Sequence, residues 1–135
     1  MKQVPTVRDT RPKARILIVE DEAMLAFALE EFLIDAGFDV AGVAGRLETA
    51  LTKIAAGGFD AAILDANLAG VNAGPAALAL KAAGRPFIVV SGYLASQQQS
   101  AFQGVLCLQK PCPADRLVQA LRSVLPAGCA GAMAA

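Results

Sequence analysis

The sequence predicts an α/β fold in which a doubly wound parallel sheet of five strands is covered by helices on both faces. Three observations favour this class. Short apolar runs alternate with longer segments of helical periodicity. The apolar runs are continuous, as is typical of strands that are buried on both faces. The length of 135 residues suits one domain, and right-handed crossovers favour the flavodoxin-like strand order 2-1-3-4-5.

The predicted strands are short apolar runs, several of them rich in β-branched residues. They cover residues 15–19, 38–44, 61–64, 87–90 and 105–108. Each predicted helix follows one of these strands. The helices cover residues 22–36, 46–56, 75–83, 94–102 and 113–125, of which 94–102 is rich in glutamine. We expect residues 14–126 to form the domain, residues 1–13 a flexible arm, and residues 127–135 a frayed tail of Ala and Gly.

Composition and charge argue against nucleic-acid binding, membrane insertion and secretion, and they exclude catalysis by histidine. The formal net charge is +0, so no basic surface for nucleic acid is expected. No apolar run approaches the roughly 20 residues of a membrane helix, and the polar N-terminus lacks the apolar core of a signal peptide. Cys107, Cys112 and Cys129 have no C-x-x-C spacing and predict reduced thiols in the cytoplasm. The absence of histidine excludes Ser-His-Asp triads and H-E-x-x-H zinc sites.

Polar residues follow four of the five predicted strands. They are Glu20 and Asp21, Asp65 and Asn67, Ser91, and Lys110. Because the carboxyl ends of parallel strands meet at one edge of the sheet, these side chains should lie close together. Clustered carboxylates repel one another unless a cation joins them, so the acids predict a site for Mg²⁺. Asp65 could then attack phosphorus as a carboxylate nucleophile, while Lys110 and the metal offset the phosphoryl charge and Ser91 donates its hydroxyl.

These residues, in this order, resemble the receiver domain of two-component response regulators. The motifs that carry the resemblance are Glu20-Asp21, Asp65, Ser91-Gly92 and Lys110-Pro111, and it covers about residues 15–125. The stretches Val-Ser-Gly-Tyr and Leu-Gln-Lys-Pro look most like single-domain receivers of α-proteobacteria.

The resemblance implies that a partner histidine kinase or histidine phosphotransfer protein phosphorylates Asp65. It further implies that Asp21, Asp65 and the backbone carbonyl of Asn67 bind Mg²⁺, with Glu20 helping through water. Ser91 and Lys110 would hold the phosphoryl group. We therefore expect a stand-alone phospho-acceptor without an attached output domain. It would not be a conventional enzyme, and it would signal by binding a downstream protein whose identity the sequence does not specify.

One position departs from the family pattern. Receivers often have Tyr or Phe three residues before the lysine, where this chain has Cys107. Cysteine cannot act as that aromatic switch and is expected to be a small buried apolar residue. Tyr93, two residues after Ser91, could substitute from the loop.

The first predicted helix has apolar residues on two faces. We expect one face to pack on the sheet; its residues are Leu25, Leu29, Phe32, Leu33 and Ala36. The opposite face contains Met24, Phe27, Glu31 and Ile34. Apolar residues on a solvent face favour a docking surface for the kinase, with homodimerisation or scattered surface residues as the competing interpretations.

Three alternatives to phospho-acceptance stay open. The first is a receiver-shaped interaction module that is not phosphorylated. The second is an aspartyl phosphatase, which would need a second Asp two residues after the nucleophile, where this chain has Asn67. The third is a flavin-binding protein, but the loop at residues 20–22 is acidic and repels phosphate unless metal is present.

Overall fold

The computed structural model of the protein describes residues 13–92 and 100–126. A five-stranded sheet has the order β2-β1-β3-β6-β7 with every neighbouring pair parallel. Its strands are β1 (Arg15–Val19), β2 (Asp39–Ala44), β3 (Ala61–Asp65), β6 (Phe87–Ser91) and β7 (Leu106–Gln109). Counted within this sheet, the order is 2-1-3-4-5, so the predicted fold class and topology are confirmed.

Four α-helices cover the sheet in the part of the chain that the structure describes. They are α1 (Ala23–Asp35), α2 (Leu47–Ala56), α3 (Gly74–Ala82) and α4 (Ala114–Val124). The sheet separates two apolar cores because successive strand residues point to opposite faces. In β1, Leu17 belongs to the core that contains α2 and α3, whereas Ile18 belongs to the core that contains α1 and α4. None of the helices within the described ranges is long and apolar enough to cross a membrane.

A short antiparallel hairpin follows β3 and was not expected from the sequence. Its strands are β4 (Asn67–Leu68) and β5 (Val71–Asn72). The two connecting residues, Ala69 and Gly70, have φ angles of 53° and 88°, as in the tightest hairpin turns. Such turns favour Asn-Gly or Asp-Gly, so Ala-Gly gives a weak signal. Leu68 is buried and anchors the hairpin in the core.

The predicted helix at residues 94–102 lies mostly outside the described residues. Its last part, Ser100–Phe102, is a 3₁₀ helix. The predicted arm at residues 1–13, apart from Lys13, and the tail at residues 127–135 also lie outside them. Elsewhere no end of a predicted strand or helix differs from the structure by more than one residue.

The buried face of α1 differs from the expected one. Leu25 and Phe32 were expected to pack on the sheet, but they are 47% and 40% exposed. Leu33 is buried as expected, Leu29 and Ala36 pack partly against the same core, and Ala26 is buried in addition. The prediction was wrong for Leu25 and Phe32 because α1 is apolar around most of its circumference, so periodicity alone could not select the inward face. The predicted outward residues are exposed: Met24, Phe27, Glu31 and Ile34.

Candidate functional site

Asp65 is the last residue of the most buried strand. All five residues of β3 are buried, and Asp65 itself is 5% exposed. β1 and β6 pair with β3 on either side, so the strand is held by backbone hydrogen bonds along both edges. The apolar residues of β3 pack in the core, and its last residue places one carboxylate at the edge of the sheet.

Three carboxylates meet at this edge. Glu20 and Asp21 follow β1, and one oxygen from each of Glu20, Asp21 and Asp65 lies within 4.8 Å of the others. The Glu20 backbone N–H donates to the carbonyl of Ala44 at 2.9 Å, which fixes the chain as it leaves β1. An all-oxygen donor set of this charge fits a hard divalent cation such as Mg²⁺.

Lys110 joins the acids from the other side. Its Nζ lies 2.8 Å from Asp65 Oδ2 and 3.4 Å from Glu20 Oε1. The residue follows β7, and its backbone N–H donates to the carbonyl of Ser91 at 2.8 Å. Ser91 is the buried last residue of β6, so this bond ties together the ends of the two strands. The structure therefore brings together the ends of four strands, as the sequence predicted.

The electrostatics of the cluster favour a bound cation. Burial raises the pKa of Glu20, and the charge of Asp65 adds to that rise, although the Glu22 N–H and Lys110 oppose it. Burial alone would lower the pKa of Lys110, but its hydrogen bond and charge interaction with Asp65, helped by Glu20, raise it overall. Lys110 is thus protonated at neutral pH, and one ammonium group faces three acids.

The β4–β5 hairpin contacts two of the acids through its backbone. The Asn67 N–H donates to Asp65 Oδ1 at 3.2 Å, and the Ala69 N–H donates to Asp21 Oδ2 at 3.1 Å. The side chain of Asn67 turns back on the hairpin, where its Oδ1 accepts the Gly70 N–H at 2.7 Å. Sequence reasoning missed the contribution of Ala69, because a backbone donor leaves no mark on residue type.

Comparison with known proteins identifies the family. A family model described as the response regulator receiver domain matches residues 16–122. The chain belongs to this family.

Solved structures agree with this assignment. SdrG from Sphingomonas melonis Fr1 is 38% identical; the match covers 83% of this chain and 96% of that chain, at a TM-score of 0.71. A BeF3-activated conformation of SdrG from Pseudomonas melonis Fr1 is also 38% identical, over 85% and 98% of the two chains, at a TM-score of 0.70. A CheY-like receiver domain protein from Methanospirillum hungatei JF-1 is 26% identical over 82% and 92%, at a TM-score of 0.72. No curated protein sequence matches the chain.

An apolar groove opens beside the acids of this receiver. Its volume is about 600 Å³. One wall comes from α1, including Leu25 and Phe32, and the other from residues at and before the start of α4, including Cys112 and Leu117. Glu20, Asp65 and Lys110 line the same groove. The side chains of Leu25 and Phe32, which were expected in the core, therefore face a space that leads to Asp65.

Cys107 was expected to be a small buried residue, but it is only half-buried in the edge strand β7. Burial raises the pKa of its thiol. Its Sγ lies 3.5 Å from the carbonyl oxygen of Val105, a contact within its own segment. Tyr93, the residue predicted to substitute for an aromatic switch, lies outside the described residues.

Proposed function

We propose that the protein is a phospho-acceptor receiver that takes a phosphoryl group on Asp65 in a Mg²⁺-dependent reaction. The donor is a partner histidine kinase or histidine phosphotransfer protein. One observation supports this above all: a buried strand ends in a carboxylate that is paired with Lys110 at 2.8 Å and lies beside two further acids. These 135 residues contain no histidine, so the phosphohistidine lies outside them.

The proposed transfer uses groups already in place. A carboxylate oxygen of Asp65 forms a bond to phosphorus while the bond to the donor's histidine nitrogen breaks, and that nitrogen keeps the electron pair. Lys110 and the Ser91 hydroxyl would then contact the phosphoryl oxygens. Asp21, Asp65 and the Asn67 carbonyl would hold Mg²⁺, with Glu20 acting through water, and the ion would offset negative charge.

The proposed output is a change of surface that a downstream protein recognises. Phosphorylation adds charge at Asp65 and would bias the loops that follow β3 and β6. SdrG, 38% identical, has a BeF3-activated conformation, which supports an activatable receiver here. The proposal also assigns the protein to the cytoplasm, since free thiols at Cys107 and Cys112 suit a reducing compartment.

Intact-mass measurement tests the acceptor. Wild-type protein incubated with MgCl₂ and acetyl phosphate should gain the mass of one phosphoryl group. Asp65→Asn should not gain it, and chelation of Mg²⁺ should suppress the gain in the wild type. Asp60→Asn is a matched control, because Asp60 lies just before the same strand and accepts the Arg15 N–H at 2.8 Å, away from the acids. Failure of the wild type to gain mass would favour the unphosphorylated interaction module.

The proposed donor docks on the open side of α1. The exposed residues Met24, Phe27 and Ile34 form one candidate contact stripe, and Leu25 and Phe32 form another on the groove. We favour the two together, because the groove leads directly to Asp65 and both sets of residues expose large apolar side chains. Large exposed apolar surfaces mark binding sites.

Phosphotransfer from a panel of autophosphorylated histidine kinases tests the docking. Phe27→Ala combined with Ile34→Glu should slow transfer by about tenfold or more, since buried apolar anchors dominate interface energies. Labelling by acetyl phosphate should be unchanged, because that small donor needs no docking surface. Unchanged kinase rates would remove the stripe from the interface. If the variant instead abolished a concentration-dependent dimer, the stripe would be a self-association surface.

A further inference from the structure

The side chain of Asn67 closes the turn of the β4–β5 hairpin. Its Oδ1 accepts the N–H of Gly70, one of the two residues at the tip, at 2.7 Å. The other, Ala69, has a φ of 53°, which is unfavourable for a residue with a Cβ. The turn therefore needs local support, and the Asn67 side chain supplies a hydrogen bond at that point.

The supported turn holds a backbone donor against one of the acids. The Ala69 N–H donates to Asp21 Oδ2 at 3.1 Å, across 48 residues of sequence. At its base the hairpin is held by the Ala73 N–H, which donates to the Ala66 carbonyl at 2.9 Å. A carboxylate has two oxygens, so a bond to Oδ2 orients the group and leaves Oδ1 for a cation.

We propose that the Asn67 side chain is a positioning residue for the metal site: it fixes the hairpin tip so that the Ala69 N–H orients Asp21 for Mg²⁺. This rests on the proposed function, which places Mg²⁺ among these acids, and it is separate from the carbonyl of Asn67, which any residue would supply. Groups that orient metal ligands affect affinity by 10–100-fold in known sites. The side chain thus sets how readily the receiver takes up the ion before any phosphoryl group arrives.

The hairpin contains its own matched control. Asn72 Oδ1 accepts the Gly74 N–H, also at 2.7 Å, from a residue two positions further along the chain. That bond lies at the start of α3, whereas the bond of Asn67 lies at the hairpin tip whose Ala69 N–H contacts Asp21. Asn67→Ala and Asn72→Ala each remove one hydrogen bond of equal length, but only Asn67 lies on the path to the metal ligand.

Titration of the unphosphorylated full chain with MgCl₂, followed by the amide resonances of the protein in solution, tests the proposal. Asn67→Ala should weaken Mg²⁺ binding by about tenfold, and Asn72→Ala by no more than about twofold. The Ala69 amide resonance should shift in Asn67→Ala and not in Asn72→Ala.

Two results would overturn the proposal. One is an unchanged Mg²⁺ Kd in Asn67→Ala with a changed phosphoryl half-life, which would make the side chain a group that steers water. The other is an equal loss of Mg²⁺ affinity in both variants, which would show general loosening of the hairpin. If Asn67→Ala does not fold, Asn67→Ser replaces it; its shorter side chain should weaken binding several-fold, and wild-type affinity would again overturn the proposal. Labelling of the wild type by acetyl phosphate separately tests the proposed function.

Discussion

The two sides of the sheet are built from similar residues and packed differently. On the α2–α3 side, the helices close over the strands, and Ala50, Ile54 and Leu80 are buried. On the α1–α4 side, a groove of about 600 Å³ separates the helices, and Leu25 and Phe32 line it while remaining exposed. Among the described residues, α1 exposes five large apolar side chains, whereas α2 and α3 together expose one, that of Leu78. The difference favours the proposed docking role of α1.

The open side is also the side on which the acids are reached. Glu20, Asp65 and Lys110 line the groove together with apolar residues of α1 and α4. A partner that covers the apolar walls would therefore place its own groups next to Asp65. Both sides of the sheet bury an apolar core, and the α1–α4 side in addition gives access to the site.

The largest expected effect is on the closed side. Leu80→Ala should lower the free energy of unfolding by about 2–5 kcal/mol, because it leaves a cavity among fully buried neighbours. Phe32→Ala on the open side removes a larger side chain but should cost less than about 1 kcal/mol, since 40% of that residue is already in solvent. Chemical denaturation followed by circular dichroism measures both. Equal losses would mean that α1 is packed as tightly as α3.

The next effect concerns two lysines, Lys110 and Lys81, which lie on different sides of the sheet. Without Mg²⁺, Lys110→Ala should lower the free energy of unfolding by about 1–3 kcal/mol, because it leaves Asp65 buried without its cation. The control is Lys81→Ala: Lys81 Nζ donates to the Gln103 carbonyl at 3.0 Å from exposed α3 surface, and its loss should change stability by no more than about 0.5 kcal/mol.

Mg²⁺ should affect the stability of the two lysine variants differently. Added MgCl₂ should stabilise Lys110→Ala more than the wild type, since the ion replaces positive charge among the acids, and it should leave the effect of Lys81→Ala unchanged. Thermal denaturation with and without MgCl₂ measures this. A Lys110→Ala variant as stable as the wild type in chelator would show that repulsion among the acids is small.

The smallest expected effect is on how the free energy of unfolding depends on pH. Burial and the charge of Asp65 raise the pKa of Glu20 above its ordinary value of 4.5, against the opposing Glu22 N–H and Lys110. The folded protein thus binds this proton more tightly than the unfolded chain. The contribution of Glu20 to stability is therefore most favourable below pH 4.5 and is lost as pH rises through the raised pKa.

Glu20→Gln removes that loss. In chelator, the variant should gain stability relative to the wild type as pH rises from acid to neutral, and saturating Mg²⁺ should reduce the gain. Denaturant midpoints measured across this range give the comparison. A difference that is independent of pH would contradict the pKa assignment for Glu20.

Much of the architecture could be predicted because its signals are local. The runs at residues 15–19 and 61–64 are apolar and short, so they predict buried strands, and a chain of strand–helix units permits few topologies. The strand ends then place Asp65 and Lys110 at one edge. The missed parts have weak or ambiguous local signals: the Ala69-Gly70 turn, and the inward face of a helix that is apolar almost all round.

The sequence by itself determined the fold class, the strand order and the edge at which the acids, Ser91 and Lys110 gather, because apolar periodicity and strand–helix alternation depend on neighbours along the chain. Only the tertiary structure decided which side of α1 faces a groove, that this groove leads to Asp65, and that the Ala69 N–H contacts Asp21. These features join residues distant in sequence, and one of the two groups in the last contact is a backbone amide, which every residue except proline has.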